Sequence, residues 1–266
     1  MNKQAVVKIS VAGVYEKADD SSPLHTQALL NEEIEVLGAS GSFVFARVPD
    51  GYTGYIKVSD ITDDLSSIDT GINSSTGKVT IKSAFAPIFD SSGKVIIRAP
   101  MSCVFFGRRD GGGYSITLPG NSVGYINADD AFFLPVGESI PLGSGGQFAA
   151  NAMLFMGVKY LWGGCSADGI DCSGLVYITA KLAGLKLPRD SLPQSQIGLD
   201  VDLADAKTGD WLFFSSDSRK LKVTHTGIYL ENGDFIHSSD GTGVAITNIY
   251  TSEHYKQLFM FAKSRF

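Results

Sequence analysis

Asp171-Cys172-Ser173-Gly174-Leu175 opens a run that continues Val176-Tyr177-Ile178-Thr179-Ala180, the pattern of a helix with Asp171 at its N-cap and Cys172 in the first turn. Unpaired N–H groups and the positive end of the helix dipole favour a thiolate there, so Cys172 is expected to be a nucleophile of lowered pKa. The bland reading of a free cysteine is a small buried hydrophobe. Two of the four histidines weigh against it. Thr224-His225-Thr226-Gly227-Ile228-Tyr229-Leu230 and Asp234-Phe235-Ile236-His237 read as two strands joined by Glu231-Asn232-Gly233. A three-residue hairpin loop places Gly233 where a left-handed residue is wanted. Leu230 then pairs with Asp234, Gly227 faces His237, and His225 lies diagonal to His237 on the same face. Diagonal neighbours are ~7–8 Å apart at the backbone, within reach of two imidazoles. A two-residue loop would put them on opposite faces. Cysteine, base and orienter are the parts of nucleophilic catalysis.

The elements that must position these residues divide the chain. Residues 1 to about 136 alternate β-branched and aromatic side chains between Gly, Asp and Ser clusters, as in Val6 to Val11, Glu33 to Leu37 and Phe43 to Val48. Gly54-Tyr55-Ile56-Lys57-Val58-Ser59-Asp60 returns 70 positions later as Gly124-Tyr125-Ile126-Asn127-Ala128-Asp129-Asp130, and Val7-Lys8-Ile9 with Tyr15 has a looser counterpart in Val79-Thr80-Ile81 with Phe89. The expectation is two small all-β barrels, over 1–66 and 77–136, joined by the Ser/Gly/Asn-rich stretch Ser66 to Gly77. One irregular β domain is the alternative. After the Pro/Gly-rich stretch Pro135 to Gly146 comes a third domain, 137–266. It is expected to carry helices at Gln147 to Met156 and Cys172 to Leu182, then strands at Asp210 to Phe214, His225 to Leu230, Asp234 to His237 and Phe259 to Lys263. Helices followed by strands is an α+β order.

The bulk properties exclude more than they assign. The 266 residues are 44% hydrophobic and 19% charged, with a formal net charge of −6 and no Lys/Arg run. Neither nucleic acid nor an anionic membrane is therefore the expected partner. The apolar stretch Phe148 to Trp162 is broken by Asn151 and Lys159 and is shorter than the ~20 residues a membrane span needs. Cys103, Cys165 and Cys172 form an odd set without CxxC spacing, so neither a disulfide framework nor a zinc site is expected, and no cofactor is implied. Cys103 is expected on a strand of the second barrel and Cys165 in a glycine-rich loop, both structural. His25 and His254 have no assigned work. The N-terminal Met-Asn-Lys-Gln-Ala-Val-Val lacks the apolar core of a secretory signal, which points to the cytoplasm unless the chain is trimmed or exported by another route.

Together, in this order, Tyr160-Leu161-Trp162-Gly163-Gly164, Asp171-Cys172-Ser173-Gly174-Leu175, Gly209-Asp210-Trp211-Leu212-Phe213-Phe214 and the His225/His237 hairpin resemble the NlpC/p60 cysteine peptidases over about Gln147 to Phe266. The barrels resemble, less specifically, the bacterial SH3-like domains attached to such enzymes. The resemblance implies a papain-like α+β catalytic domain. In it Cys172 attacks an amide carbonyl, His225 moves the proton and His237 orients His225. The Cys172 N–H and the Tyr160 hydroxyl hold the oxyanion. Leu187-Pro188-Arg189-Asp190-Ser191 is similar to a segment of members that cut after γ-D-glutamate, where Arg189 and Ser191 would bind the D-glutamyl carboxylate. Asp171, with Ser173 beside it, would meet a free N-terminal amine. Trp162 would line the cleft or pack in the core, and Tyr55 or Tyr52 would supply an aromatic contact from the first barrel. The chain departs from that pattern at Pro23-Leu24-His25-Thr26-Gln27, where no Glu precedes Thr26.

The implied activity is a monomeric endopeptidase cutting the γ-D-glutamyl to diamino-acid bond of peptidoglycan stem peptides or muropeptides, with the first barrel closing one end of the cleft. A wall-binding protein with a vestigial thiol site is a second reading, and a thiol amidase or acyltransferase on another amide is a third. Arg189 and Ser191 separate the first from the third, because a lipid amide needs no carboxylate clamp.

Overall fold

The computed structural model describes residues 3–68 and 76–265. It forms two compact units, one ending at Ser139 and the other beginning at Ile140. Most of the Ser66 to Gly77 connection lies outside the described residues.

The N-terminal unit contains two seven-stranded sheets. The first comprises β1 (Lys3–Val7), β2 (Val11–Tyr15), β3 (Leu24–Leu29), β4 (Glu33–Ser40), β5 (Phe43–Arg47), β6 (Thr53–Lys57) and β7 (Ile61–Thr62). The second comprises β8 (Gly77–Ile81), β9 (Phe85–Phe89), β10 (Val95–Pro100), β11 (Val104–Asp110), β12 (Gly113–Leu118), β13 (Ser122–Asn127) and β14 (Ala131–Pro135). Their strand orders, β3-β2-β6-β5-β4-β1-β7 and β10-β9-β13-β12-β11-β8-β14, are the same order shifted by seven. The repeat read from the sequence reappears as matching cross-strand pairs. Tyr15 lies opposite Tyr55 in the first sheet, and Phe89 lies opposite Tyr125 in the second. Inward positions alternate with outward ones, so Val14, Ile34, Ala46 and Ile56 share one core, and Ile88, Phe105, Ile116 and Ile126 are buried at equivalent places.

Two local expectations are corrected. Val6 to Val11 is not one strand: the chain bends at Lys8–Ser10, where the Lys8 N–H turns to the Asp60 carbonyl. Cys103 sits in the turn before β11 rather than on a strand, and its N–H bonds to the Pro100 carbonyl. The short periodic runs around both positions carry no sign of where a turn interrupts them.

The C-terminal unit begins with α1 (Gly145–Met153), and β15 (Cys165–Ser166) and β16 (Gly169–Ile170) form a small hairpin before α2 (Cys172–Leu182). α3 (Ser191–Gln194) is followed by β17 (Leu199–Val201), β18 (Trp211–Phe214), β19 (His225–Tyr229), β20 (Asp234–Ser239), β21 (Gly243–Asn248), α4 (Glu253–Leu258) and β22 (Phe259–Ser264). The six-stranded sheet has the order β17-β22-β18-β19-β20-β21, with every neighbouring pair antiparallel. α2 is buried along its whole length apart from Lys181 and packs on β19 and β20. α1 begins two residues before the expected start because the Ser144 side chain caps it, accepting from the Gln147 N–H. Behind it, Phe148 meets Trp211 edge to face, tying helix to sheet.

Candidate active site

The start of α2 is built around Asp171. Its carboxylate caps the helix, accepting from the Gly174 N–H at 2.6 Å, and reaches back to the Gly163 N–H at 2.9 Å. Arg189 closes the arrangement. Its two terminal nitrogens lie 2.9 and 2.8 Å from the two Asp171 oxygens, and it also donates to the Ser173 hydroxyl and the Gly164 carbonyl, both at 3.0 Å. Arg189 is 2% exposed. A side chain at position 174 would run into this network, since a Cβ there would lie 2.2 Å from the Gly164 carbonyl. The sequence therefore puts glycine directly after Cys172-Ser173 so that the 163–164 loop can approach the helix start.

Cys172 heads α2, so its N–H has no partner within the helix. Its thiol is met by the backbone amides of Ser173 and of Thr226, the residue that follows His225 on β19, the strand against which α2 packs. On the sheet, Ile228 pairs with Ile236 and Tyr229 with Phe235, and the Leu230 N–H meets the Asp234 carbonyl. This is the register of the three-residue loop, with Asn232 and Gly233 both left-handed. His225 and His237 consequently share a face, and His225 Nε2 lies 3.1 Å from His237 Nδ1. Gly227 stands between them, where a Cβ would come 3.1 Å from that of His237 and 2.7 Å from the Phe235 ring. With Nε2 of His225 given to His237, Nδ1 is the nitrogen left for the thiol.

Electrostatics corrects the expectation of a preformed thiolate. Burial pushes the Cys172 thiol up to about 12, with the Asp171 carboxylate adding to the rise; the Thr226 and Ser173 amides and Arg189 oppose it and lose. Burial brings His225 down to about 4, with His254 contributing, and His237 down to about 3, with His225 contributing. Burial thus favours the neutral form of both groups, the thiol of Cys172 and the imidazole of His225. Because the thiol titrates far above neutrality, alkylation of Cys172 by iodoacetamide should rise about tenfold per pH unit from pH 6 to 9, as one thiol deprotonation requires. A thiolate–imidazolium pair would instead give a flat plateau across that range.

Tyr160 is held by a backbone bridge to Ile170, next to the α2 start. Burial raises its phenol, and the charges of Cys172 and Asp171 raise it further, so it keeps its proton and can donate. Trp162 is 69% exposed, which removes core packing as its role. Ser191 is partly buried at the head of α3, which Gln194 anchors by donating to the carbonyls of Ser173 and Pro188. Tyr55 belongs to the N-terminal unit and packs against Phe45. The structure thus brings Cys172, His225, His237, Tyr160, Asp171, Ser173 and Arg189 together. The guanidinium expected to face a substrate carboxylate is turned inward onto Asp171, because a buried arginine needs a counter-charge. Asp171 in turn spends both oxygens on protein donors.

Three neighbours escaped the sequence reading. Thr247 Oγ1 lies 3.0 Å from His237 Nε2. The Tyr255 ring stands edge-on to His237 at 4.8 Å, with its hydroxyl 3.4 Å from His237 Nδ1. His254 stacks edge to face on Tyr255 and acts on His225 through its charge. No motif spacing marks any of them.

A buried cysteine at the start of a helix that packs on the strand of His225, whose imidazole is held by that of His237, is an arrangement that can support thiol-nucleophile hydrolysis. The NlpC/P60 family model matches residues 157–263, and a bacterial dipeptidyl-peptidase SH3 domain model matches residues 14–61. The probable endopeptidase NlpC of Escherichia coli is 36% identical over 105 residues, covering 38% of this chain and 68% of that protein. A γ-D-glutamyl-L-lysine dipeptidyl-peptidase of Bacillus cereus is 29% identical over 233 residues, 82% of this chain and 68% of its own length. The crystal structure of an NlpC/P60 family protein from Bacillus cereus shares the fold, with a TM-score of 0.88, 23% identity, and coverage of 98% of this chain and 99% of that one. The chain belongs to the NlpC/P60 family, and its N-terminal region is SH3-like.

Proposed function

We propose that the protein is a cysteine endopeptidase that hydrolyses the bond between γ-D-glutamate and the following L-diamino acid in peptidoglycan stem peptides. The observation that carries this is the Cys172–His225–His237 cluster in a chain aligned over 82% of its length with a γ-D-glutamyl-L-lysine dipeptidyl-peptidase. We read the two sheets of equal strand order as two SH3-like barrels and the C-terminal unit as a papain-like α+β domain, because helix α2 presents the nucleophile against an antiparallel sheet that presents the base.

In this mechanism His225 Nδ1 takes the thiol proton as the sulfur attacks the γ-carbonyl carbon of D-glutamate. The oxyanion is held by the Cys172 N–H and the Tyr160 hydroxyl, whose raised pKa keeps it a donor. Collapse breaks the C–N bond, and the imidazolium returns its proton to the departing α-amine of the diamino acid. Water then attacks the thioester, gives its proton to His225, and releases the γ-glutamyl acid and the free thiol. Arg189 and Asp171 serve this sequence by holding the start of α2, and the exposed Trp162 and partly buried Ser191 supply contacts for the peptide.

Mass spectrometry of digests of L-Ala-γ-D-Glu-L-Lys and its meso-diaminopimelate analogue, each free and N-acetylated, tests the proposal. The free tripeptides should yield L-Ala-D-Glu and the free diamino acid, and N-acetylation should suppress the reaction, in keeping with a dipeptidyl-peptidase. Cleavage at the L-Ala to D-Glu bond would refute the bond assignment. Equal rates on free and acetylated peptides would refute the need for a free amine.

A further inference from the structure

His237 has two ring nitrogens, and both are engaged. Nδ1 faces His225 Nε2 at 3.1 Å and Nε2 faces the Thr247 hydroxyl at 3.0 Å. His237 is 1% exposed, so neither nitrogen has water to turn to. Thr247 is supplied by β21, where it pairs with Phe235 while His237 pairs with Ala245, which puts Thr247 diagonal to His237 on the histidine face. Unlike His237, Thr247 is partly exposed.

A neutral imidazole carries one N–H, and the partner of one nitrogen decides the role of the other. Two proton arrangements fit the distances. In the first, His225 Nε2–H donates to His237 Nδ1 and His237 Nε2–H donates to Thr247 Oγ1. In the second, every proton is reversed: Thr247 donates to Nε2, His237 Nδ1–H donates to His225, and His225 carries its proton on Nδ1. Only the first leaves His225 Nδ1 bare to accept from Cys172.

We propose that Thr247 is a positioning residue that holds His237 as its Nε2–H tautomer and so keeps His225 competent as the base. Its partial exposure lets the hydroxyl proton go to solvent while the oxygen accepts. The Tyr255 hydroxyl lies 3.4 Å from His237 Nδ1 and also bonds with the Ser239 side chain. The groups facing this pair are His225, Tyr255 and, through Tyr255, His254. The choice between the two arrangements rests on the peptidase reading, in which His225 must accept the thiol proton, whereas spectra read the tautomer directly.

The test is Thr247→Val, which keeps the β-branched shape and removes the oxygen, with Thr247→Ser as rescue. Long-range 15N–1H spectra of the full chain at neutral pH should show the wild-type His237 protonated at Nε2, and Thr247→Val should lose or reverse that pattern. On L-Ala-γ-D-Glu-L-Lys, kcat should fall about 10- to 100-fold with KM within about twofold, the size expected when a hydrogen bond supporting a developing charge is lost. Thr247→Ser should restore both readouts. A wild-type His237 protonated at Nδ1 would overturn the inference, as would Thr247→Val with unaltered tautomer and kcat, or equal loss in both variants. If the wild-type protein left the peptide uncut, the peptidase reading would fall, while the tautomer spectra would still decide the role of Thr247.

Discussion

Cys172→Ala should abolish peptide hydrolysis while the chain stays folded, with a loss of about a millionfold in kcat, the scale seen when the nucleophile of a triad is removed. The thiol contributes little packing that alanine forfeits, and the helix start is held by Asp171 and Arg189 rather than by the sulfur. Cys172→Ser should be almost as inactive, because the site is tuned to a thiol and His225 is a weak base once buried. Cys165→Ser and Cys103→Ser provide the contrast and should keep most activity, since one sits on β15 and the other in a turn of the N-terminal unit. His225→Ala should approach the loss at Cys172, whereas His237→Ala should lose less, because orienting an imidazole is a smaller task than accepting the proton. Substantial turnover by Cys172→Ser, measured against matched circular dichroism spectra, would contradict the mechanism.

The second large effect is on stability. Arg189→Met should cost about 3–5 kcal/mol, because it leaves the Asp171 carboxylate buried without its counter-ion. Both partners are enclosed, with side-chain exposures of 2% for Arg189 and 10% for Asp171, so solvent screens the pair little. Three further donors, from Ser173, Gly163 and Gly174, remain to the carboxylate and keep the loss from being larger. Urea unfolding followed through Trp162 and Trp211, both in the C-terminal unit, reports the change. A substrate clamp would behave differently: KM for D-glutamyl peptides would rise and the unfolding curve would stay in place. That outcome would return Arg189 to the role its local motif suggests.

The contrast at Arg189 shows what a linear motif can and cannot reveal. Asp171 as cap and Cys172 as the first residue of its helix were legible, because capping is a matter of neighbours three residues apart. The histidine register was legible too, because Glu231-Asn232-Gly233 specifies a loop length and strand pairing follows from it. The duplicated strand order of the N-terminal unit was visible only at Gly54 to Asp60 and Gly124 to Asp130, where the same turn chemistry recurs. The partner of Arg189 was not legible, since it lies 18 residues away and depends on how the 163–164 loop meets α2. Thr247 and Tyr255 were hidden for a similar reason. Gly243–Asn248 lacks a clear apolar alternation, and α4 is only six residues long, so neither element announces itself. At Cys172 burial outweighs the helix start, because the helix dipole is a local property legible in sequence and burial is not.

An affinity label built on L-Ala-γ-D-Glu tests in one step whether Cys172 attacks the γ-carbonyl of a D-glutamyl residue. A chloromethyl ketone at the γ-position puts an electrophile where the scissile carbonyl would sit, and peptide mapping by mass spectrometry locates the adduct. One label per chain, on Cys172, slowed by excess L-Ala-γ-D-Glu-L-Lys and absent in His225→Ala at neutral pH, is the predicted result. Labelling of Cys165 or Cys103 instead, or an unlabelled protein that hydrolyses the tripeptide at full rate, would contradict it.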